Sequence, residues 1–125
     1  MQRLLEAIDD GLVDQIIALG IKKEATDIHI EPDEKIVRVR MRIDGVLRQQ
    51  VLVPKAIQPA LTARIKLIAN LNITEKRIPQ DGRIPFVFGQ NKVDLRVSTL
   101  PINCGESVVL RILDNSGTRL TLPDL

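Results

Sequence analysis

The chain has 125 residues, of which 44% are hydrophobic and 27% are charged, so it can form one globular domain with a core. Aromatic residues make up only 2%, which argues against the stacking surfaces that bind single-stranded nucleic acid. A net charge of +2 is too small to indicate nucleic-acid or membrane binding by itself. One cysteine, Cys104, excludes an internal disulfide, and no apolar run approaches the roughly 20 residues of a membrane span. The composition predicts a soluble, cytoplasmic protein.

The first half of the chain is predicted to form one helix and three strands. Apolar residues recur at helical spacing from Leu4 to Leu19, which predicts a helix over about residues 2–20 with Gly20 as its stop. Alternating apolar and polar residues predict strands over residues 27–31, 36–43 and 46–53. The Asp44-Gly45 pair is typical of a hairpin turn, so the three strands should form an antiparallel meander.

The second half repeats this order. An apolar stripe from Ile57 to Leu71 predicts a helix that ends at Asn70 and Asn72. Residues 72–82 are predicted as a loop, followed by strands over residues 83–88, 92–100 and 107–113, with a longer connection over 101–105. This order favours an α+β fold in which helices pack on one side of a mostly antiparallel sheet.

Complete active sites are absent from the sequence. There is no G-x-x-x-x-G-K-[ST] phosphate-binding loop, and a single His argues against a His-rich metal site. Asp27, His29 and Glu31 share one strand face, since side chains two apart point the same way. They can be imagined as metal ligands, but a polar solvent face, or a His bonded to a neighbouring carboxylate, is the favoured interpretation.

Two groups of arginines are candidate anion sites. Arg38, Arg40 and Arg42 share one strand face, and Arg48 follows on the next strand. This stripe can meet phosphate or an acidic protein surface. The favoured alternative is a solvated face that discourages edge pairing.

Arg83, Arg96 and Arg111 each lie on a predicted strand of the second half. Spacing alone favours a structural ion pair for such an arginine, with Asp94 or Glu106 as its partner. A planar guanidinium is, however, also the preferred group for clamping a phosphate oxygen. The residues leave both interpretations open.

Five short segments follow one another along the chain: residues 26–32 (TDIHIEP), 42–47 (RIDGVL), 77–83 (RIPQDGR), 93–101 (VDLRVSTLP) and 105–111 (GESVVLR). In this order they resemble signatures of the type II secretion and type IV pilus assembly ATPases. One such match is weak, whereas five in order are specific.

The resemblance implies a second N-terminal domain with a PAS-like fold over residues 1–115. Residues 116–125 would begin a linker to a RecA-like ATPase domain outside this chain, which carries the Walker A loop. In that family the subunits form a homohexamer and ATP lies between domains. The resemblance assigns ATP-phosphate contacts to Arg96 and Arg111, with Arg83 as a weaker candidate.

The resemblance also implies the partners and the location. ATP and Mg²⁺ belong to the parent protein, and neither is expected for the fragment, which should not hydrolyse ATP alone. Expected partners are the RecA-like domain of the same or a neighbouring subunit and an inner-membrane platform protein, with no nucleic acid. The parent would be cytoplasmic and peripheral at the inner membrane, powering pilin or pseudopilin assembly and protein secretion. The alternative is a stand-alone PAS-like ligand-sensing or protein-interaction module.

Overall fold

A computed structural model describes residues 11–114. The elements are α1 (Val13–Lys22), β1 (Asp27–Pro32), β2 (Ile36–Ile43), β3 (Val46–Pro54), a 3₁₀ turn (Lys55–Ile57), α2 (Gln58–Ile68), β4 (Gln80–Phe88), β5 (Asn91–Ile102) and β6 (Gly105–Asp114). The predicted order, a helix and three strands twice over, is confirmed. The start of the first predicted helix and the predicted linker lie outside the described residues.

The six strands form one sheet in the order β3-β2-β1-β6-β5-β4, and every neighbouring pair is antiparallel. The predicted α+β class is therefore confirmed. The two halves of the chain join at the centre of the sheet, where β1 pairs with β6 and Asp27 lies opposite Arg111. Residues that are far apart in sequence consequently share rows across the sheet.

One face of the sheet carries the core. Strand residues such as Ile28, Val39 and Leu110 are buried there together with Leu61 and Ile65 of α2. Since alternate side chains of a strand point to opposite faces, the polar residues between the apolar ones lie on the outer face. The core therefore fixes which residues are presented outward.

Both helices end with the same backbone arrangement. Glu24 and Asn70 have positive φ angles of 59° and 65°, and the next residue donates its N–H back to the final turn, Ala25 to Gly20 and Leu71 to Lys66. This is a Schellman ending. Asn70 was correctly predicted as a helix end. The prediction of Gly20 as a stop is wrong, because α1 continues to Lys22 and Gly20 is a buried contact against Ile28.

The loop predicted over residues 72–82 is too long. Residues 80–82 belong to β4, so Asp81-Gly82 is strand rather than turn. A Cβ on Gly82 would lie 2.8 Å from the carbonyl oxygen of Ala69. Glycine is therefore required by the close approach of β4 to the end of α2 and not by a turn. The connection predicted over residues 101–105 is also shorter, since β5 continues to Ile102 and β6 begins at Gly105.

A buried ion pair attaches α2 to the start of β6. Lys66 has no exposed surface, and its Nζ lies 2.8 Å from Oε2 of Glu106, without the geometry of a directed hydrogen bond. The same ammonium donates to the carbonyl oxygen of Glu75 at 2.6 Å. One buried cation thus fixes the loop before β4 against both the helix and the sheet.

We predict that Glu24→Gly stabilises the protein. A residue with a Cβ is strained at positive φ, and glycine is not, so the free energy of unfolding should rise by about 0.5–1 kcal/mol. Urea unfolding of Glu24→Gly and Glu24→Ala tests this, because alanine removes the carboxylate but keeps the strain. Equal stability of the two variants would show that the backbone at Glu24 stores no strain.

Candidate functional site

Three arginines lie side by side across the outer face of the sheet. Arg83 of β4 is the register partner of Arg96 of β5, and Arg96 is the partner of Arg111 of β6. Opposite residues of an antiparallel pair have Cβ atoms about 5 Å apart. All three are exposed. The three residues, named here the arginine row, therefore present adjacent guanidinium groups to solvent.

Within residues 11–114, none of the three side chains of the arginine row has an ion pair or a hydrogen bond. Glu106, one of the two partners expected from the sequence for these arginines, is not available to them, because it is buried on the other face against Lys66. Like charges directly opposite one another destabilise a sheet. A bound anion would reduce the repulsion between the three guanidinium groups.

The arginines of β2, unlike those of the arginine row, have carboxylate partners. Arg40 contacts Glu31 at 2.7 Å, Arg42 lies 3.5 Å from Asp27, and Arg38 pairs with Asp33. The predicted role in blocking edge pairing is wrong, because β2 is an interior strand and β3 is the edge.

Arg48 does not extend this stripe. It is the register partner of Met41, which is buried on the core face. Arg48 therefore lies on the opposite side of the sheet from the other three arginines. The basic patch predicted from the sequence is not assembled.

Asp27 lies at the boundary between the paired and the unpaired arginines. Burial by itself would raise the pKa of its carboxyl group. Hydrogen bonds from Thr26 and His29, together with the charges of His29 and Arg42, outweigh burial and lower the pKa below its ordinary value of 3.8. His29 Nε2 lies 2.5 Å from Oδ2 of Asp27, which is the carboxylate-bonded histidine expected from the sequence. Within the described residues no group of three or more His, Cys, Asp or Glu is placed to hold a metal ion.

The arginine row opens into a cleft of about 410 Å³. Arg96 and Arg111 line it with Asp81, Ser98 and Val109. Ser98 donates a hydrogen bond to Asp81 at 2.8 Å. The two guanidinium groups that line this cleft offer several N–H donors, and each group is planar, which suits a phosphate group. Arg83 belongs to the same row but lies outside this lining.

The sequence did not indicate the residues that fix the position of β4. Gln80 accepts a hydrogen bond from the Asn72 N–H at 2.8 Å and donates to the Asn72 and Glu75 carbonyl oxygens at 3.0 and 3.1 Å. Together with Lys66, it holds the loop that leads to Arg83. Residues 77–83 match a family motif, but the sequence does not distinguish the roles of its members. In the folded loop Gln80 forms hydrogen bonds that hold the loop, whereas Arg83 faces outward.

The comparison with protein families gives one match over almost the whole chain. Residues 5–125 match the model of the Type II/IV secretion system protein family. The Type II secretion system ATPase E of Vibrio cholerae is 46% identical over 98% of this chain. The Type IV pilus assembly ATPase PilB of Myxococcus xanthus is 45% identical over all of it. The chain spans about a quarter of the length of these relatives, 25% and 23% respectively.

A solved structure shares the fold. The X-ray structure of the Legionella pneumophila ATPase DotB matches 90% of this chain, and 32% of its own chain, with a TM-score of 0.53 at 14% identity. This similarity concerns the fold alone. None of the helices within residues 11–114 has the length and apolar character needed to cross a membrane.

We predict that Asp27→Asn weakens the acid sensitivity of the fold. A carboxyl group with a lowered folded-state pKa adds stability above its ordinary pKa, and that stability is lost as pH falls through the folded pKa. The cost of Asp27→Asn in urea unfolding should therefore be larger at pH 7 than at pH 2. Equal costs at both pH values would contradict the lowered pKa.

Proposed function

Because this chain belongs to the Type II/IV secretion system protein family, we propose that it is the N-terminal domain region of a secretion or pilus-assembly ATPase that supplies arginines to the ATP phosphates. The observation that carries the proposal is the arginine row, in which adjacent guanidinium groups have no carboxylate partner among residues 11–114. Arg96 and Arg111 are the principal phosphate contacts, and Arg83 is a secondary one.

The chemistry of phosphoryl transfer explains why such arginines matter. Negative charge spreads over the transferred phosphoryl group, and an arginine positioned against it lowers the barrier. Arg96 and Arg111 lie on paired central strands, so their backbones are fixed relative to each other. Because the backbones are fixed, only the two side chains have to be ordered when a phosphate binds, which limits the entropic cost of binding.

Hydrolysis itself requires parts that this sequence does not contain. The sequence has no G-x-x-x-x-G-K-[ST] loop. We propose that residues 1–115 form the domain and that residues 116–125 begin a linker to a RecA-like ATPase domain. That domain would hold ATP and Mg²⁺, while the domain formed by this chain closes over the phosphates and opens after hydrolysis.

The proposed assembly follows from the two roles, since the RecA-like domain would hold ATP and this chain would contact its phosphates. The arginine row would face the RecA-like domain of the same or a neighbouring subunit in a homohexamer. Repeated closure would transmit force to an inner-membrane platform protein from the cytoplasmic side, driving pilin or pseudopilin assembly and protein secretion. The curated relatives with 46% and 45% identity are named for type II secretion and for type IV pilus assembly, which supports both settings.

The alternative of a stand-alone ligand sensor has less support. A sensor of this architecture would need an apolar pocket between the helices and the sheet. That space holds Leu61, Ile65, Leu95 and Leu110, all without exposed surface. The alternative of binding an acidic protein surface through the arginines of β2 required Arg38, Arg40 and Arg42 to be free, and each is paired with a carboxylate.

We predict that Arg96→Ala and Arg111→Ala abolish most ATP turnover without unfolding the protein. The test uses a chimaera in which this chain replaces the matching segment of the Vibrio cholerae ATPase. Each variant should lower kcat by about 100-fold or more, as expected for removal of a donor to developing charge. The free energy of unfolding of the 125-residue chain should change by less than about 0.5 kcal/mol, since neither side chain has a partner within residues 11–114.

Two controls make the outcome decisive. Arg40→Ala removes an arginine from the same face that is already paired with Glu31, and it should leave turnover nearly unchanged. Lys66→Met breaks the buried pair with Glu106 and should cost about 3–5 kcal/mol of stability. If Arg96→Ala destabilises the chain as Lys66→Met does, the arginine is structural and the proposal fails.

A further inference from the structure

Asp27 lies between two arginines in one row of the sheet. Its register partner on β2 is Arg42, and its partner on β6 is Arg111. The carboxylate pairs with only one of them: Nε of Arg42 lies 3.5 Å from Oδ1 of Asp27, and Arg111 has no ion pair within residues 11–114. Two cations thus flank one carboxylate in the register, and in this structure the cation of β2 is paired with it.

The carboxylate of Asp27 is fixed in position. The residue is only 8% exposed. The Thr26 hydroxyl donates to Oδ1 at 2.8 Å, and His29 Nε2 lies 2.5 Å from Oδ2. Arg111 is exposed, so its long side chain is the mobile one of the two arginines. Loss of the Arg42 contact would leave Oδ1 with the Thr26 hydroxyl and room for a further donor.

We infer that Arg42 is a positioning residue that keeps Arg111 available for phosphate by occupying Asp27. The inference rests on the proposed function of the arginine row. Without Arg42, the guanidinium of Arg111 closes onto Oδ1 of Asp27 across the β1–β6 pair. A phosphate must then displace that carboxylate before it can bind, and its affinity falls.

The inference gives a physical role to two sequence motifs that contain none of the proposed phosphate contacts. Arg42 Nη1 also donates to the carbonyl oxygen of Gly45 at 3.2 Å, in the β2–β3 turn where Asp44 and Gly45 have φ angles of 54° and 80°. The turn orients Arg42, Arg42 holds Asp27, and Asp27 leaves Arg111 free. Residues 42–47 and 26–32 thereby act on the row from outside the cleft.

The first test measures binding of inorganic triphosphate to the 125-residue chain by calorimetry at fixed ionic strength. Arg42→Ala should weaken binding about threefold to fivefold, the range set by an exposed ion pair. Arg38→Ala is the matched control, because it removes an arginine of the same strand whose partner is Asp33. It should change the affinity less than twofold, and Arg42→Lys should restore most of the loss.

A double variant separates positioning from simple loss of charge. If Arg42 acts through Asp27, the Arg42→Ala change has no effect once Asp27→Asn is present. A purely long-range charge effect would weaken binding by the same factor in both backgrounds. That result overturns the inference.

A second measurement needs no ligand. In an NMR spectrum of arginine side chains, Asp27→Asn should shift the Nε–H resonance of Arg111 strongly in the Arg42→Ala background and weakly in the unmodified chain. No added shift in that background overturns the inference, provided that both variants fold. If instead Arg96→Ala fails to weaken triphosphate binding, the proposed function fails, while the resonance of Arg111 still decides the role of Arg42.

Discussion

The pairing register of β4, β5 and β6 places Arg83, Arg96 and Arg111 next to one another, and the rest of the site depends on that register. Leu95 and Leu110 are fully buried on the core face, so a slip by one residue would bury the arginines and expose the core. Packing of the core therefore keeps three positive charges next to one another on the outer face. An anion that bound there would reduce the repulsion between them.

The outer face of the sheet is divided by charge pairing rather than by charge alone. Both halves carry arginines, but those of β2 have carboxylate partners on β1 and in the following turn, whereas the arginine row has none within residues 11–114. Asp27 marks the boundary, because it faces an arginine on each side and pairs with one. The proposed anion site therefore lies on the half of the outer face whose arginines have no carboxylate partner within residues 11–114.

The sequence predicted the strands more reliably than the contacts between them. The alternation over residues 36–43 reproduced β2 without error, and the candidate arginines were correctly placed on strands. Pairing partners were not predictable, because Glu106 is close to Arg96 in sequence yet contacts Lys66 of α2. Gly82 and Gly20 were assigned to a turn and a helix stop, whereas both allow close packing. Such roles depend on which distant residue approaches, and local patterns do not contain that information.

The most direct test of the central idea is a map of arginine side chains during titration with inorganic triphosphate. Spectra of Nε–H groups in the labelled 125-residue chain would report each arginine separately. The Nε–H resonances of the arginine row should shift at the lowest concentrations, those of Arg96 and Arg111 first and that of Arg83 after them. The resonances of Arg38 and Arg40 should remain unchanged. Shifts of equal size at paired and unpaired arginines would show that phosphate responds to net charge, and would contradict a specific anion site at the arginine row.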